Sequence, residues 1–426
     1  MPRLVHVVLF TLAIVAATLS LTPKRMSSVV AQALPPDLTL LDESRETALL
    51  MPDVSRPRIR SGHLNPALVA GLSGAGQPVA TRVALNLFPN VVSMAILERA
   101  ENVSGGKAWI GRLEGDPLSL VNFGMVDGAL SGTVASAAGT YDISADSSGA
   151  ATVSEVDAGR LAPESEPLVP SLPRRDLSPV SDFAPPVAGA SAVQTIAVFW
   201  TSTAERQGGG PAGMASKVVS RVAATNAAYR RSGVLITLKL VHAGLVAYTQ
   251  SGNAHTDLGR FTGTADAYMN SVHAIRAARK ADLMALIVGG SSWSQGACGI
   301  AWLLQRPFYS VARWKPYTFS WTALECLSTF TFEHELGHNQ GAHHDAFVTR
   351  GQHGFDVHSH GYVDVAARVE TIMAYRNRCA SARRSCTRVP YFSNPLKSRN
   401  GRAVGSAAAN NAKTLNNTAA FIASLN

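Results

Sequence analysis

Cysteine is scarce in this chain of 426 residues and absent before Cys298; the others are Cys326, Cys379 and Cys386. No C-x-x-C spacing occurs among them, which argues against a cysteine-rich zinc site. Nowhere beyond the N-terminus is there an apolar run long enough to span a bilayer as a helix. Basic clusters interleaved with aromatics, and the signatures of nucleic-acid-binding folds, are also missing, which argues against a nucleic-acid partner. No internal repeat is present. Charged residues make up only 16%, but hydrophobic residues reach 46%, which excludes a disordered chain and leaves ample material for a core.

What is there begins with an export-like segment. Arg3 precedes an apolar run from Leu4 to Leu21, and Ala31-Gln32-Ala33 offers a small-residue cleavage site. Residues 1–33 therefore read as a secretory signal, with a secreted or periplasmic product and no stable membrane insertion after its removal. The run is long and Lys24 and Arg25 follow it, so an uncleaved anchor is the competing reading. Export favours disulfides over free thiols. Of the three possible pairings, Cys298–Cys326 and Cys379–Cys386 close the shortest loops. Charge divides the chain. Residues 1–189 hold 14 Lys and Arg against 18 Asp and Glu, and residues 190–426 hold 24 against 11. The basic half suits either an acidic partner or plain solubility.

Residues 34–75 show little periodicity. From Thr81 to Asp157, short apolar runs such as Val83–Phe88 and Val92–Leu97 alternate with Gly, Asn and Asp clusters. That spacing predicts an antiparallel meander, so residues 34–160 are taken as a small β-rich domain. Residues 161–191 are crowded with proline, from Pro163 to Pro186, and read as a linker without helix or central strand. Beyond it, Thr195–Trp200, Val234–Val241 and Leu283–Val288 read as strands, and Met214–Tyr229 and Asp266–Ala278 as helices. Strands alternating with helices imply an α/β layer over residues 192–426.

The chemistry is concentrated in His334-Glu335-Leu336-Gly337-His338-Asn339-Gln340-Gly341-Ala342-His343-His344-Asp345. Histidines four apart share a helix face and can grip one ion. Glu335 then lies beside the pair, positioned to take a proton from water and pass it to a leaving amine. Gly341 permits the left-handed turn that ends the helix and swings His344 back as third ligand. His343 faces elsewhere by this spacing. Three nitrogen ligands with an open position suit catalytic zinc. The sequence is silent on calcium.

This extended motif resembles that of the metzincin zinc peptidases. Met373, in Thr371-Ile372-Met373-Ala374-Tyr375, fits the methionine turn that such proteins place beneath the metal. Tyr375 resembles the tyrosine that follows this turn in astacins and serralysins; it either reaches the metal and the oxyanion or packs beneath the site. His344-Asp345 resembles the reprolysin branch. Together with Val389–Pro395 and Asn410–Asn416, the pattern is more similar still to bacterial peptidyl-Asp metalloendopeptidases.

The resemblance implies a twisted mixed sheet over an active-site helix and a small irregular C-terminal subdomain. It also implies a propeptide ahead of the catalytic domain, acting as a latency partner. The edge strand Gly299-Ile300-Ala301, continuing to Trp302, would line up polypeptide substrates. Cleavage before Asp is implied as well, with Arg376, Arg378, Arg383, Arg384 or Arg388 meeting the carboxylate. Latency through a propeptide cysteine is ruled out by the absence of cysteine before Cys298. Asp176 and Asp182 offer places for self-processing. Two rivals stand beside this reading: a gluzincin-type peptidase using Glu370 as third ligand, and a secreted binding module that keeps zinc for stability alone.

Overall fold

A computed structural model describes residues 38–73, 81–171 and 191–426. The export segment at 1–33 and the self-processing candidates Asp176 and Asp182 lie outside the described residues.

The first half of the chain builds one nine-stranded antiparallel sheet. Its strands are β1 (Ala48–Leu50), β2 (Arg58–His63), β3 (Thr81–Phe88), β4 (Val91–Val103), β5 (Gly106–Leu113), β6 (Asp116–Val126), β7 (Ala129–Ser136), β8 (Gly139–Ala145) and β9 (Ala150–Val156). They lie in the order β1-β2-β9-β8-β7-β6-β5-β4-β3, so β3 to β9 form the meander expected from the spacing. The aperiodic stretch before residue 75 also contributes, through β1, β2 and the helix Pro66–Ser73. There β2 pairs with β9, and that pairing supplies the order that its own sequence does not advertise.

Side chains alternate between the two faces of this sheet, as a period of two requires. On one face Leu85, Leu97, Trp109, Phe123 and Ile143 form a core of their own. From the other face Ala108, Ile110, Leu120 and Ala135 join a core that continues into the second half. The bridge is a long helix, Gly210–Ser232, opened by Pro211 in its first turn and closed by Gly233 in the left-handed conformation. Backbone and helix come very close at Gly124, where a Cβ would stand 2.5 Å from Ser216 O and 2.6 Å from Ser220 N. Gly124→Val is therefore expected to lower the stability of the full chain by about 1–3 kcal/mol through overpacking. A urea midpoint equal to wild type would show that the two elements part without cost.

Arg221, on the same helix and buried, ties both halves together. It donates to Thr133 Oγ1 at 2.9 Å and Asn122 Oδ1 at 3.1 Å in the first sheet, and to Leu327 O at 2.8 Å in the second half.

The second sheet contains β10 (Ala192–Trp200), β11 (Ile236–Leu245), β12 (Leu283–Val288), β13 (Gly299–Ala301) and β14 (Phe319–Ala323), in the order β11-β10-β12-β14-β13. The first four positions run parallel, and β13 is antiparallel at the edge. All six residues of β12 are buried, as befits a central parallel strand covered on both faces. One helix starts later than its pattern suggests, at Ser271 rather than Asp266. Asp266 Oδ1 accepts from Tyr268 N at 2.9 Å, closing a local turn in place of a helical one.

The motif helix Thr331–Asn339 packs against β13 and β14. Disulfides join Cys298 to Cys326 and Cys379 to Cys386, with Cα separations of 5.6 and 6.0 Å. The first bridge fastens the start of the edge strand to the segment entering the motif helix. After the motif, short strand pairs lead to the helix Asn411–Ile422, which returns to β10, where Gln194 Nε2 donates to Ala419 O at 3.1 Å. Among the described residues, no helix is long and apolar enough to cross a membrane.

Candidate active site and metal centre

His334 and His338 leave the motif helix on one face, and the chain then reverses. Gln340 ends the helix, and Gly341 takes φ +97°, which a side chain would strain. His344 is thereby carried back to the other two. The three Nε2 atoms form a triangle with sides of 3.0–3.1 Å. Among the described residues this is the one cluster of His, Cys, Asp or Glu able to hold a metal ion.

The chemistry of these donors tests the fit. His334 Nδ1 lies 2.8 Å from Ile372 O, and His338 Nδ1 lies 2.9 Å from Ala342 O. A carbonyl can only accept, so both Nδ1 atoms carry the proton and both Nε2 atoms present bare lone pairs to each other. Burial, and after it the neighbouring histidines, hold His338 well below the usual imidazole range. Burial likewise brings His334 down to about 3. Neutral imidazoles with converging lone pairs are a ligand set for a cation, and the spacing suits one ion at the ~2.0–2.1 Å usual for zinc and imidazole.

Glu335 occupies the same helix, fully buried, with neither carboxylate oxygen hydrogen-bonded. It faces the edge strand, where the missing side chain of Gly299 leaves it room: a Cβ there would stand 2.3 Å from Glu335 Oε1. Burial first, and the Glu164 carboxylate second, raise Glu335 well above the usual carboxylate range. Met373 is wholly buried under the helix, close enough that a Cβ on Gly337 would stand 2.4 Å from its Sδ. Tyr375 lies against the histidines, its ring parallel to His334 within 6° and 4.1 Å from His344 between centroids.

Other contacts here were silent in the sequence. Asp345 Oδ2 accepts from Tyr375 N at 2.9 Å, and so pins the methionine turn to the third histidine. The motif contained this aspartate, but its partner lies 30 residues on. Glu164 and Glu166, in the proline-rich segment, also reach the site. Glu166 Oε2 is 3.3 Å from His344 Nδ1. Of the five candidate arginines, Arg376, Arg378, Arg383 and Arg384 are exposed, whereas Arg388 points inward with its side chain 11% exposed. His343 stays apart from the triangle, stacked on His360.

Glu370 does not join the histidines, which corrects the gluzincin alternative. It lies in the short strand Val369–Glu370, with Oε1 3.7 Å from Arg388 Nε. Burial pushes it up to about 7, against the pull of Arg388. Between about pH 4.5 and about pH 7 the native chain thus holds a proton that the unfolded chain has released, so this group's contribution to stability falls as pH rises. Glu370→Gln is expected to remove that slope. Urea midpoints of the two proteins at about pH 5 and about pH 7.5 test it, and parallel pH dependences would count against it.

The α/β fold, the histidine triangle and the unpartnered Glu335 define a metal-dependent peptidase. Residues 190–402 match the family model for reprolysin-like metallopeptidases of family M12B. The chain is 30% identical over 392 residues to the peptidyl-Asp metalloendopeptidase of Xanthomonas campestris pv. campestris, covering 88% of this chain and 89% of that protein. It is 34% identical over 278 residues to the protein of the same name from Stenotrophomonas maltophilia (strain K279a), covering 63% of this chain and 62% of the relative. The chain belongs to the reprolysin-like M12B metallopeptidase family.

Proposed function

We propose that this metalloendopeptidase is a zinc enzyme, exported as a latent precursor, that cuts polypeptides on the N-terminal side of Asp. The observation that carries the catalytic reading is the buried, unpartnered carboxylate of Glu335 beside three converging histidine nitrogens. A site kept for stability alone needs no such carboxylate and closes with a fourth protein ligand. His334, His338 and His344 would hold the ion, with Met373 packed beneath. Bound there, zinc supplies a Lewis acid that polarises the scissile carbonyl and eases deprotonation of water.

The protein's own groups do the rest. The edge strand Gly299–Ala301 aligns an extended substrate through backbone hydrogen bonds. Glu335 takes a proton from water and returns it to the departing amine. The Tyr375 phenol, raised well above its usual range chiefly by burial, keeps its proton and donates it in a hydrogen bond to a carbonyl oxygen in the cleft.

Export draws support from the two disulfides, which persist in oxidising compartments. The preference for Asp rests on the names of the relatives and on the inward-facing Arg388. Residues 34–160 would be the propeptide, residues 161–191 its linker and residues 192–426 the enzyme; the linker's hold on the cleft supports latency. Mapping all cuts in an unfolded protein by mass spectrometry tests this. Cuts clustered before Asp are expected, whereas scattered cuts would remove the specificity and keep the enzyme.

A further inference from the structure

Residues 163–168 have no helix or strand of their own, yet they lie along the edge of the second sheet. Cys298 N donates to Pro163 O at 3.0 Å, Ser165 N to Gly299 O at 2.8 Å, Leu168 N to Ala301 O at 2.8 Å and Leu303 N to Leu168 O at 2.8 Å. Residue numbers climb together on both sides, so the segment runs parallel to β13.

Glu164 turns inward from this track. Its Oε1 accepts from Arg388 Nη1 at 2.5 Å and from Thr331 Oγ1 at 3.1 Å, and both members of the ion pair are 11% exposed. Arg388 is fixed from behind by Ala374 O at 3.1 Å, just past Met373, and by Thr329 O at 3.3 Å, just before the motif helix. Thr331 and Glu335 point the same way, since a Cβ on Gly299 would strike both. The carboxylate-binding pocket therefore adjoins the catalytic carboxylate. A cavity of about 490 Å³ opens beside it, lined among others by Glu164, Glu370, Tyr375 and Arg388.

We propose that Arg388 is the residue that reads the acidic side chain of the substrate, and that Glu164 fills its place as a built-in inhibitor entering in the reverse direction. This rests on the reading of the chain as a peptidase that cuts before Asp. A forked, buried guanidinium next to the reacting groups is the recognition element such a preference demands.

The direction explains why occupation does not mean cleavage. To cut before an acidic residue, the site must receive the carbonyl of the residue preceding it. With Glu164 in the pocket that carbonyl belongs to Pro163, and Cys298 N already holds it in the edge strand. Tyr375 Oη instead donates to Glu164 O at 3.2 Å and Ser165 O at 3.4 Å, on the far side of the acid. A substrate that places its acid on Arg388 and its preceding carbonyl at Tyr375 must run antiparallel to β13. The linker takes the same pocket and the same edge in the opposite sense.

The test uses the full chain as wild type, Glu164→Gln and Glu164→Gln/Arg388→Gln, with Arg388→Lys in place of Arg388→Gln should the latter fail to fold. Hydrogen–deuterium exchange over residues 163–168 reads occupancy without catalysis. Cleavage of two synthetic peptides differing only in Asp or Asn reads specificity. Glu164→Gln should speed exchange at Ser165 and Leu168 by about tenfold or more and cut the Asp peptide at least about tenfold faster than the Asn peptide. The double variant should cut both at similar rates, and Lys should retain part of the preference. Unchanged exchange in Glu164→Gln overturns the inhibitory role, and an unchanged Asp-to-Asn ratio without Arg388 overturns the reading role. Faster exchange with neither peptide cut would uphold the Glu164–Arg388 lock and sink the peptidase reading; cutting without regard to Asp would sink the specificity.

Discussion

Glu335→Ala is expected to lower kcat on any cleavable peptide by about 10²–10⁴ while leaving bound zinc at wild-type stoichiometry. The carboxylate is buried and, among the described residues, makes no hydrogen bond, so its removal strips no partner from them. Its loss removes the carboxylate that faces the edge strand at Gly299 from the helix carrying His334 and His338. Melting temperature should stay level or rise, because an unsatisfied buried carboxyl disappears. Kinetics, metal analysis and calorimetry on the same preparation check all three. A variant retaining most of its activity would hand the proton transfer to another group, and a variant empty of zinc would make Glu335 part of the metal site.

The second large effect concerns the metal itself. Three buried histidines bring their Nε2 atoms within 3.0–3.1 Å of one another, a crowding that a cation held between them relieves. An ion that binds the folded chain and not the unfolded one stabilises it by about 4 kcal/mol when free metal is a thousandfold above its Kd. Chelation, or His338→Ala, should therefore abolish hydrolysis and lower the melting temperature together. Zinc should restore both properties to the chelated wild type and neither to the variant. Activity that survives exhaustive chelation would overturn the metal assignment.

The sequence made the zinc-type motif legible because its geometry is local. Two histidines one helical turn apart, a glycine at the break and a third histidine three residues on all lie within eleven positions, and Gly341 adopts the conformation its place demands. The meander and the buried strand Leu283–Val288 were legible for the same reason, from short apolar runs broken by turn residues and from unbroken apolarity. The Glu164–Arg388 pair joins residues 224 positions apart, and no local pattern carries such information. Proline crowding told only that residues 161–171 are neither helix nor central strand; it could not tell that the segment lies in the cleft. Arg388 could not be separated from four neighbouring arginines until burial distinguished it. Of the strands before residue 75, β2 stayed hidden because its partner, β9, follows almost a hundred residues later, and β1 pairs with β2 in turn.

The long helix Gly210–Ser232 has a wall on either side: β5, β6 and β7 against one flank, β11 against the other. A single apolar core runs through it from Ile110 and Leu120 to Ile196 and Leu238. Severing the backbone between residues 171 and 191 leaves that core intact. The nicked molecule would be a tight two-piece complex, with fragment departure rather than peptide-bond scission setting the pace at which the cleft clears. A concentration-dependent delay between nicking and full turnover is the kinetic signature of such a complex.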